Sequence, residues 1–281
     1  MIEDARYFAW HGGPTGAAPV ALAVPHAGRD YPAALLAQAR VPVAVLRGLE
    51  DRYADRLVAR AAQNGHPVLI ATAPRALVDL NRDPDDREDR RRTPQGDGRA
   101  ASGLGVFPQS VASAGPLWSG PSEPRDLDER IVQIHRPYHA ALADALTQAR
   151  VRCGAAALLD IHSMPRHAGR GWPPSADVVL GDRRGSSAAA PVVRMVQDIV
   201  RAAGLSCARN TPYAGGYATH FHGNPGNHVH AIQVEIARDL YLDGDGRLQD
   251  EGVDRIAGLI AAIAEAVAGT LSQRSRIEAA G

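Results

Sequence analysis

The chain has 281 residues, and its 31 basic and 31 acidic side chains cancel, so no global field draws it to nucleic acid or to an anionic membrane and a small-molecule partner is expected. Every basic residue is arginine, which excludes a Schiff-base lysine, a P-loop lysine and a lysine general base. Two distant cysteines, Cys153 and Cys207, exclude a disulfide framework and a cysteine zinc motif.

The start, Met1-Ile2-Glu3-Asp4, lacks the basic and apolar pattern of a signal segment, and no uninterrupted apolar run reaches the ~18 residues of a membrane span. A cytoplasmic location is therefore expected. No repeat or linker divides the chain, and its length fits one α/β domain over residues 1–281.

After a Gly/Pro-rich lead-in, Val20 to Val24 reads as a buried strand running into Pro25-His26-Ala27-Gly28, a turn shaped like an active-site loop. Leu49 to Asn64 predicts an amphipathic helix with Glu50, Asp51 and Asp55 near its start. Val68 to Ala71 and Arg75 to Arg82 predict strands, the second delivering Asp79, Asn81 and Arg82. Residues 83–122, charged at first and then rich in Gly and Pro, predict a long surface loop.

Leu127 to Arg150 predicts helix with an apolar stripe of Ile131, Ile134, Tyr138, Leu142 and Leu146, with a kink or two helices meeting at Pro137. His135 and His139 have the spacing of a helical metal pair, but no acid completes that motif and a place at the core edge is the plainer reading. Ala155 to Pro165 predicts a buried strand that delivers Asp160, His162 and Ser163. Ala176 to Asp182 predicts another strand, Ser187 to Ala203 a helix, and Ala231 to Ile236 a strand carrying Glu235. A glycine-rich segment, Tyr213 to Gly223, precedes that strand, and Gly252 to Leu271 predicts an alanine-rich helix packed outside the sheet.

Strands alternating with helices indicate an α/β sandwich. Four apolar runs that each deliver a polar group, among them His26, Asp79, His162 and Glu235, suggest one shared site. Three His and carboxylate ligands with an acid beside them are the needs of a metal hydrolase, although such donors suit zinc, iron or manganese alike.

The motifs Pro25-His26-Ala27-Gly28, Glu50-Asp51, Val78-Asp79-Leu80-Asn81-Arg82, Arg136-Pro137-Tyr138-His139, Asp160-Ile161-His162-Ser163 and Gln233-Val234-Glu235 form an ordered set. Spread from about residue 20 to about residue 243, the set resembles the N-formylglutamate amidohydrolase family. That family is related to the zinc carboxypeptidases and to the aspartoacylase and succinylglutamate desuccinylase group. The resemblance implies a three-layer α/β sandwich with a mixed, largely parallel central sheet, zinc-carboxypeptidase-like, and one catalytic zinc ion. It implies His26, Asp51 and His162 as metal ligands. Glu50 competes with Asp51, because the carboxypeptidase relatives carry the acid close to the first histidine and here it comes much later.

The resemblance also makes Asn81 and Arg82 the pair that grips the substrate α-carboxylate and Arg75 the arginine that polarises the scissile carbonyl. Glu235 matches the general base that takes a proton from the attacking water and passes it to the leaving amine. Arg136, Tyr138, His139, Thr219 and His230 are candidates for substrate contacts, with Tyr217, His220 and His222 near them in sequence or type. The implied reaction hydrolyses N-formyl-L-glutamate to formate and the free amino acid at the end of a histidine-degradation route, with no nucleic-acid or membrane partner. A second acidic group on the substrate needs a second cation, for which arginines of residues 83–99, Arg136 and Arg166 are available. Two alternatives stand beside this: hydrolysis of another N-acyl amino acid or a peptide, and a non-catalytic protein that binds metal or acyl-amino acid.

Overall fold

The computed structural model describes residues 7–13, 18–87, 99–121, 123–166 and 176–278. Residues 88–98 and 122 of the expected surface loop lie outside the described residues. The strands are β1 (Phe8–His11), β2 (Val20–Val24), β3 (Val68–Ala71), β4 (Ser110–Val111), β5 (Gly115–Pro116), β6 (Ala156–Met164), β7 (Val178–Gly181), β8 (Cys207–Arg209) and β9 (Val229–Ala237). Seven form one sheet in the order β1-β3-β2-β6-β9-β7-β8, while β4 and β5 pair as an antiparallel hairpin.

β6 runs parallel to both β2 and β9, β7 runs antiparallel to β9, and β8 is parallel to β7, so the sheet is mixed and largely parallel, as expected. All of β2 and β6 is buried, and so is β9 beyond its first residue. That is why these strands read as continuous apolar runs: a sheet covered on both faces has no solvent side to mark with polar residues.

The helices are α1 (Ala33–Gln38), α2 (Val43–Leu46), α3 (Ala54–Leu57), α4 (Ala59–Gln63), α5 (Pro124–Arg130), α6 (Arg136–Cys153), α7 (Ala190–Ala202), α8 (Tyr217–His222) and α9 (Asp250–Glu278). The chain gathers into two compact units. One holds the described residues of Met1–Ala9, Pro25–Arg52 and Ile70–Ala141, and the other those of Trp10–Val24, Tyr53–Leu69 and Leu142–Gly281. The first carries α1, α2, α5 and the β4–β5 hairpin. In the second, α9 packs against α3, α4 and α7 and touches β2 and β6, and α8 lies on β6 and β9. By length and composition alone, Asp250–Ser272 of α9 qualifies to cross a membrane, although its apolar residues form no uninterrupted run. Its Ile256, Ile260, Ile263 and Val267 are buried, as in a helix that covers a sheet.

Two local expectations are corrected. Residues 75–82 form no strand: Leu77 N–H bonds the Pro74 carbonyl, Asp79 N–H the Val106 carbonyl and Arg82 N–H the Asp79 carbonyl, so the segment closes into turns. The helix expected from Leu49 to Asn64 is broken, because Tyr53 sits at φ 62 and leaves Glu50 and Asp51 in non-helical backbone ahead of α3. Near Pro137 two helices meet, as one of the expected forms has it: α5 and α6 join through a π-helical turn over Ile131–His135. Pro137 has no N–H for the preceding turn, and the widened turn accommodates the loss. β1, β8, α1 and α2 carried too short an apolar pattern to be read from sequence.

Candidate active site

β2 runs straight into Pro25 and His26, and the backbone just beyond passes against Ala73: a Cβ on Gly28 would lie 1.9 Å from the Ala73 carbonyl oxygen. Asp51 N–H donates to the His26 carbonyl at 2.9 Å, so the backbone itself sets this acid beside the histidine. Asp51 Oδ2 lies 3.3 Å from His26 Nδ1. On the other side of the ring, His26 Nε2 donates to Asp79 Oδ1 at 2.8 Å.

Asp79 is a hub. Besides His26 it accepts Arg75 Nε at 2.8 Å and the Asn81 backbone N–H at 2.9 Å, with Arg82 Nε 3.8 Å away. Burial drives its carboxyl upward, yet the charges of Arg75, His26 and Arg82 outweigh burial and hold it well below the usual carboxylate range. An ionised acceptor on Nε2 keeps a proton on that nitrogen and leaves Nδ1 facing Asp51.

His162 has the same support. Asp160, two residues earlier and therefore on the same face of β6, accepts from His162 Nε2 at 2.9 Å. On β9, Glu235 stands in direct register with His162, and Gln233 with Asp160. Registered residues of parallel neighbours share a face, about 4.8 Å apart at the backbone. Glu235 is buried, and Gln233 Nε2 donates to its Oε1 at 2.7 Å while Gln233 Oε1 accepts the Gly216 N–H at 2.8 Å. Burial pushes the nearby His222 imidazole down to about 4 against the opposing charge of Asp160, so that ring is neutral at pH 7.

His26, Asp51 and His162 are all buried and offer three ligand atoms within 4.8 Å of one another. Two imidazoles and a carboxylate, each imidazole backed by an aspartate on its far nitrogen, are a donor set that fits a divalent ion. Glu50 is committed elsewhere: it accepts from Tyr31 Oη at 2.7 Å and from Arg52 at 3.0 Å. Burial and that Glu50 carboxylate push the Tyr31 phenol well up.

Of the other residues singled out from sequence, Arg75, Asn81 and Arg82 gather around Asp79. Arg82 also donates from Nε to the Leu104 carbonyl and from Nη1 to the Asn81 carbonyl. His139 and His135 donate to the carbonyls of Leu80 and Arg82 at 2.8 and 2.9 Å, clamping that turn to α6. Burial lowers the His135 pKa and outweighs the Arg82 carbonyl, which favours the protonated ring. Tyr138 is buried edge-on to Phe8, Arg136 is exposed, and His230 accepts the Ala189 N–H at the far end of β9 from Glu235. Thr219 Oγ1 donates to the Gly216 carbonyl in the turn that starts α8. The sequence reading missed the support given by Asp79, Asp160 and Gln233. The signal was there for two of them, since an acid or amide two residues before His162 and Glu235 must share their face of the strand.

An α/β sandwich with a buried His–carboxylate–His group at the carboxyl ends of its parallel strands is the frame of a hydrolase with a candidate metal centre. Residues 18–242 match the sequence profile of N-formylglutamate amidohydrolase. The chain is 30% identical over 237 residues to the N-formylglutamate deformylase of Pseudomonas aeruginosa, covering 81% of this chain and 84% of that protein. It is 29% identical over 243 residues to the N-formylglutamate deformylase of Pseudomonas putida, covering 81% and 83%. The crystal structure of N-formylglutamate amidohydrolase from Ralstonia eutropha superposes with a TM-score of 0.84 at 32% identity, over 95% of this chain and 99% of the other. The chain belongs to the N-formylglutamate amidohydrolase family.

Proposed function

We propose that this protein is a zinc-dependent deformylase, working as one hydrolase domain, that converts N-formyl-L-glutamate and water to formate and L-glutamate, a reaction of histidine degradation. The observation that carries the reading is the buried His26–Asp51–His162 group with Glu235 in register beside His162. Relatives that bear the deformylase name support the choice of substrate.

His26, Asp51 and His162 would hold the ion, with Asp79 and Asp160 fixing the two rings through Nε2. Zinc bound there would supply Lewis acidity and lower the pKa of water. Glu235, steadied by Gln233, takes the proton of the attacking water as the new C–O bond forms. Arg75, braced on Asp79, stabilises the negative charge that develops on the formyl oxygen. Glu235 then returns the proton to the departing nitrogen as the C–N bond breaks. Asn81 and Arg82 bind the α-carboxylate. His139 and Thr219 act one step back, His139 by holding the Leu80 carbonyl and Thr219 by holding the turn at Gly216.

The test is formate release from N-formyl-L-glutamate by purified protein, assayed as isolated, after chelation and after zinc restoration, with N-acetyl and N-succinyl glutamate and a dipeptide in parallel. Release that is lost on chelation and regained with zinc is expected. A zinc-loaded sample that releases no formate but cleaves one of the other substrates refutes the assignment.

A further inference from the structure

The substrate of the proposed reaction carries two carboxylates, and Asn81 with Arg82 accounts for one. Of the described arginines singled out from sequence for the other, Arg87 is paired with Asp128, Arg166 is paired with Asp177 and Asp239, and Arg99 and Arg136 are exposed. A different arginine stands out. Arg183 is half-buried, and its guanidinium has no carboxylate or carbonyl partner among the described residues.

The backbone that presents it is strained and firmly held. Arg183 and Arg184 sit at φ 51 and φ 56, in the left-handed region that side chains with a Cβ rarely adopt. Asn210 Oδ1 accepts the N–H groups of Asp182 and Arg184 at 3.1 and 3.3 Å, and the buried Asp182 carboxylate accepts from Asn210 Nδ2 at 2.6 Å and from Arg209. Arg183 N–H donates to the Ala214 carbonyl at 2.7 Å. The turn is thus fastened to the glycine pair that follows. A Cβ on Gly215 would lie 3.1 Å from Arg183 Cγ, so the arginine stem lies against that glycine. The next residue, Gly216, donates to Gln233, the residue that donates to Glu235. One short stretch of chain therefore links the unpaired guanidinium to the support of the general base.

We infer that Arg183 is a specificity-determining residue that receives the side-chain carboxylate of the N-formyl amino acid, an inference that rests on the deformylase reading. A guanidinium on a stem that starts from a firmly held turn matches a carboxylate through two parallel hydrogen bonds. The measured quantity is the ratio of kcat/KM for N-formyl-L-glutamate to that for N-formyl-L-glutamine, which has the same shape without the charge. R183Q lowers this ratio by roughly 10- to 100-fold, chiefly through the KM for N-formyl-L-glutamate. R183K, which keeps the charge without the fork, lowers it by about tenfold and takes the place of R183Q if that variant does not fold. A ratio unchanged within about twofold in the folded variant, an equal fall for both substrates, or a wild-type enzyme with no preference between them overturns the inference. Absence of formate release from either substrate by the zinc-loaded wild type is a different failure, that of the deformylase reading, and this inference falls with it.

Discussion

Asp79 offers the sharpest test of how the site is built, because one carboxylate serves His26, Arg75 and the Asn81 N–H at once. Replacing it with Asn keeps an oxygen that can accept from His26 Nε2 and so keeps the tautomer, but it removes the charge that makes the ring a stronger donor. Replacing it with Ala removes both. Loss of such a supporting acid weakens metal affinity by about 10- to 100-fold, equivalent to about 1.4–2.7 kcal/mol. D79N should therefore fall near the low end for zinc and D79A near the high end. Both variants also leave the Arg75 guanidinium without its ion pair, a further loss of about 2–3 kcal/mol in the metal-free protein, seen as a lower thermal midpoint. Competition for zinc against a chromophoric chelator reads the first effect, and scanning calorimetry of the metal-free protein reads the second. Wild-type zinc affinity in D79A would refute the argument that Asp79 orients a ligand, whatever happens to stability.

E235Q should bind zinc as wild type does while kcat falls by about 10²- to 10⁴-fold, the span of a lost general base; retained turnover removes the assigned role. G28A should disrupt the His26 loop, since the added Cβ would overlap the Ala73 carbonyl, and zinc titration should show weaker binding along with a lower thermal midpoint. At Asp182 burial pulls the carboxyl up, but Arg209, Asn210 and the Gly185 N–H hold it below its usual range. A depressed folded pKa means that the stability it contributes is present above about pH 4 and is lost as pH falls through the folded value. D182N should cost about 1–3 kcal/mol at neutral pH, and urea midpoints from pH 7 to pH 3 should show the gap to wild type narrowing only below about pH 4.

Much of this was legible in the residues. β2, β6 and β9 read as strands because each is buried on both faces, which demands an uninterrupted apolar run, and a polar residue near the end of such a run needs a reason to be there. His26, His162 and Glu235 stood out on that ground, and strand alternation made Asp160 and Gln233 their neighbours in principle. The long apolar stripe of α6 was visible for the matching reason, a period of 3.6 sustained over several turns.

Other features depended on parts of the chain remote in sequence. Glu50 and Asp51 are adjacent acids, and nothing local separates them; Tyr31 and Arg52 engage one, while the His26 carbonyl and ring engage the other. Asp79 finds His26 across 53 residues, and the segment that carries it is a set of turns because its backbone groups bond to Pro74, Val106 and its own neighbours rather than to a strand. Arg183 drew no notice in the sequence, where it is one arginine beside another. Its place against Gly215 exists only once β7, the 210–216 segment and β9 lie together. Periodicity records which face of an element is buried, and so the elements and their polar ends were written in the chain. Which acid meets which histidine is settled by hydrogen bonds and charges between distant segments, and those partners come within reach only in the folded protein.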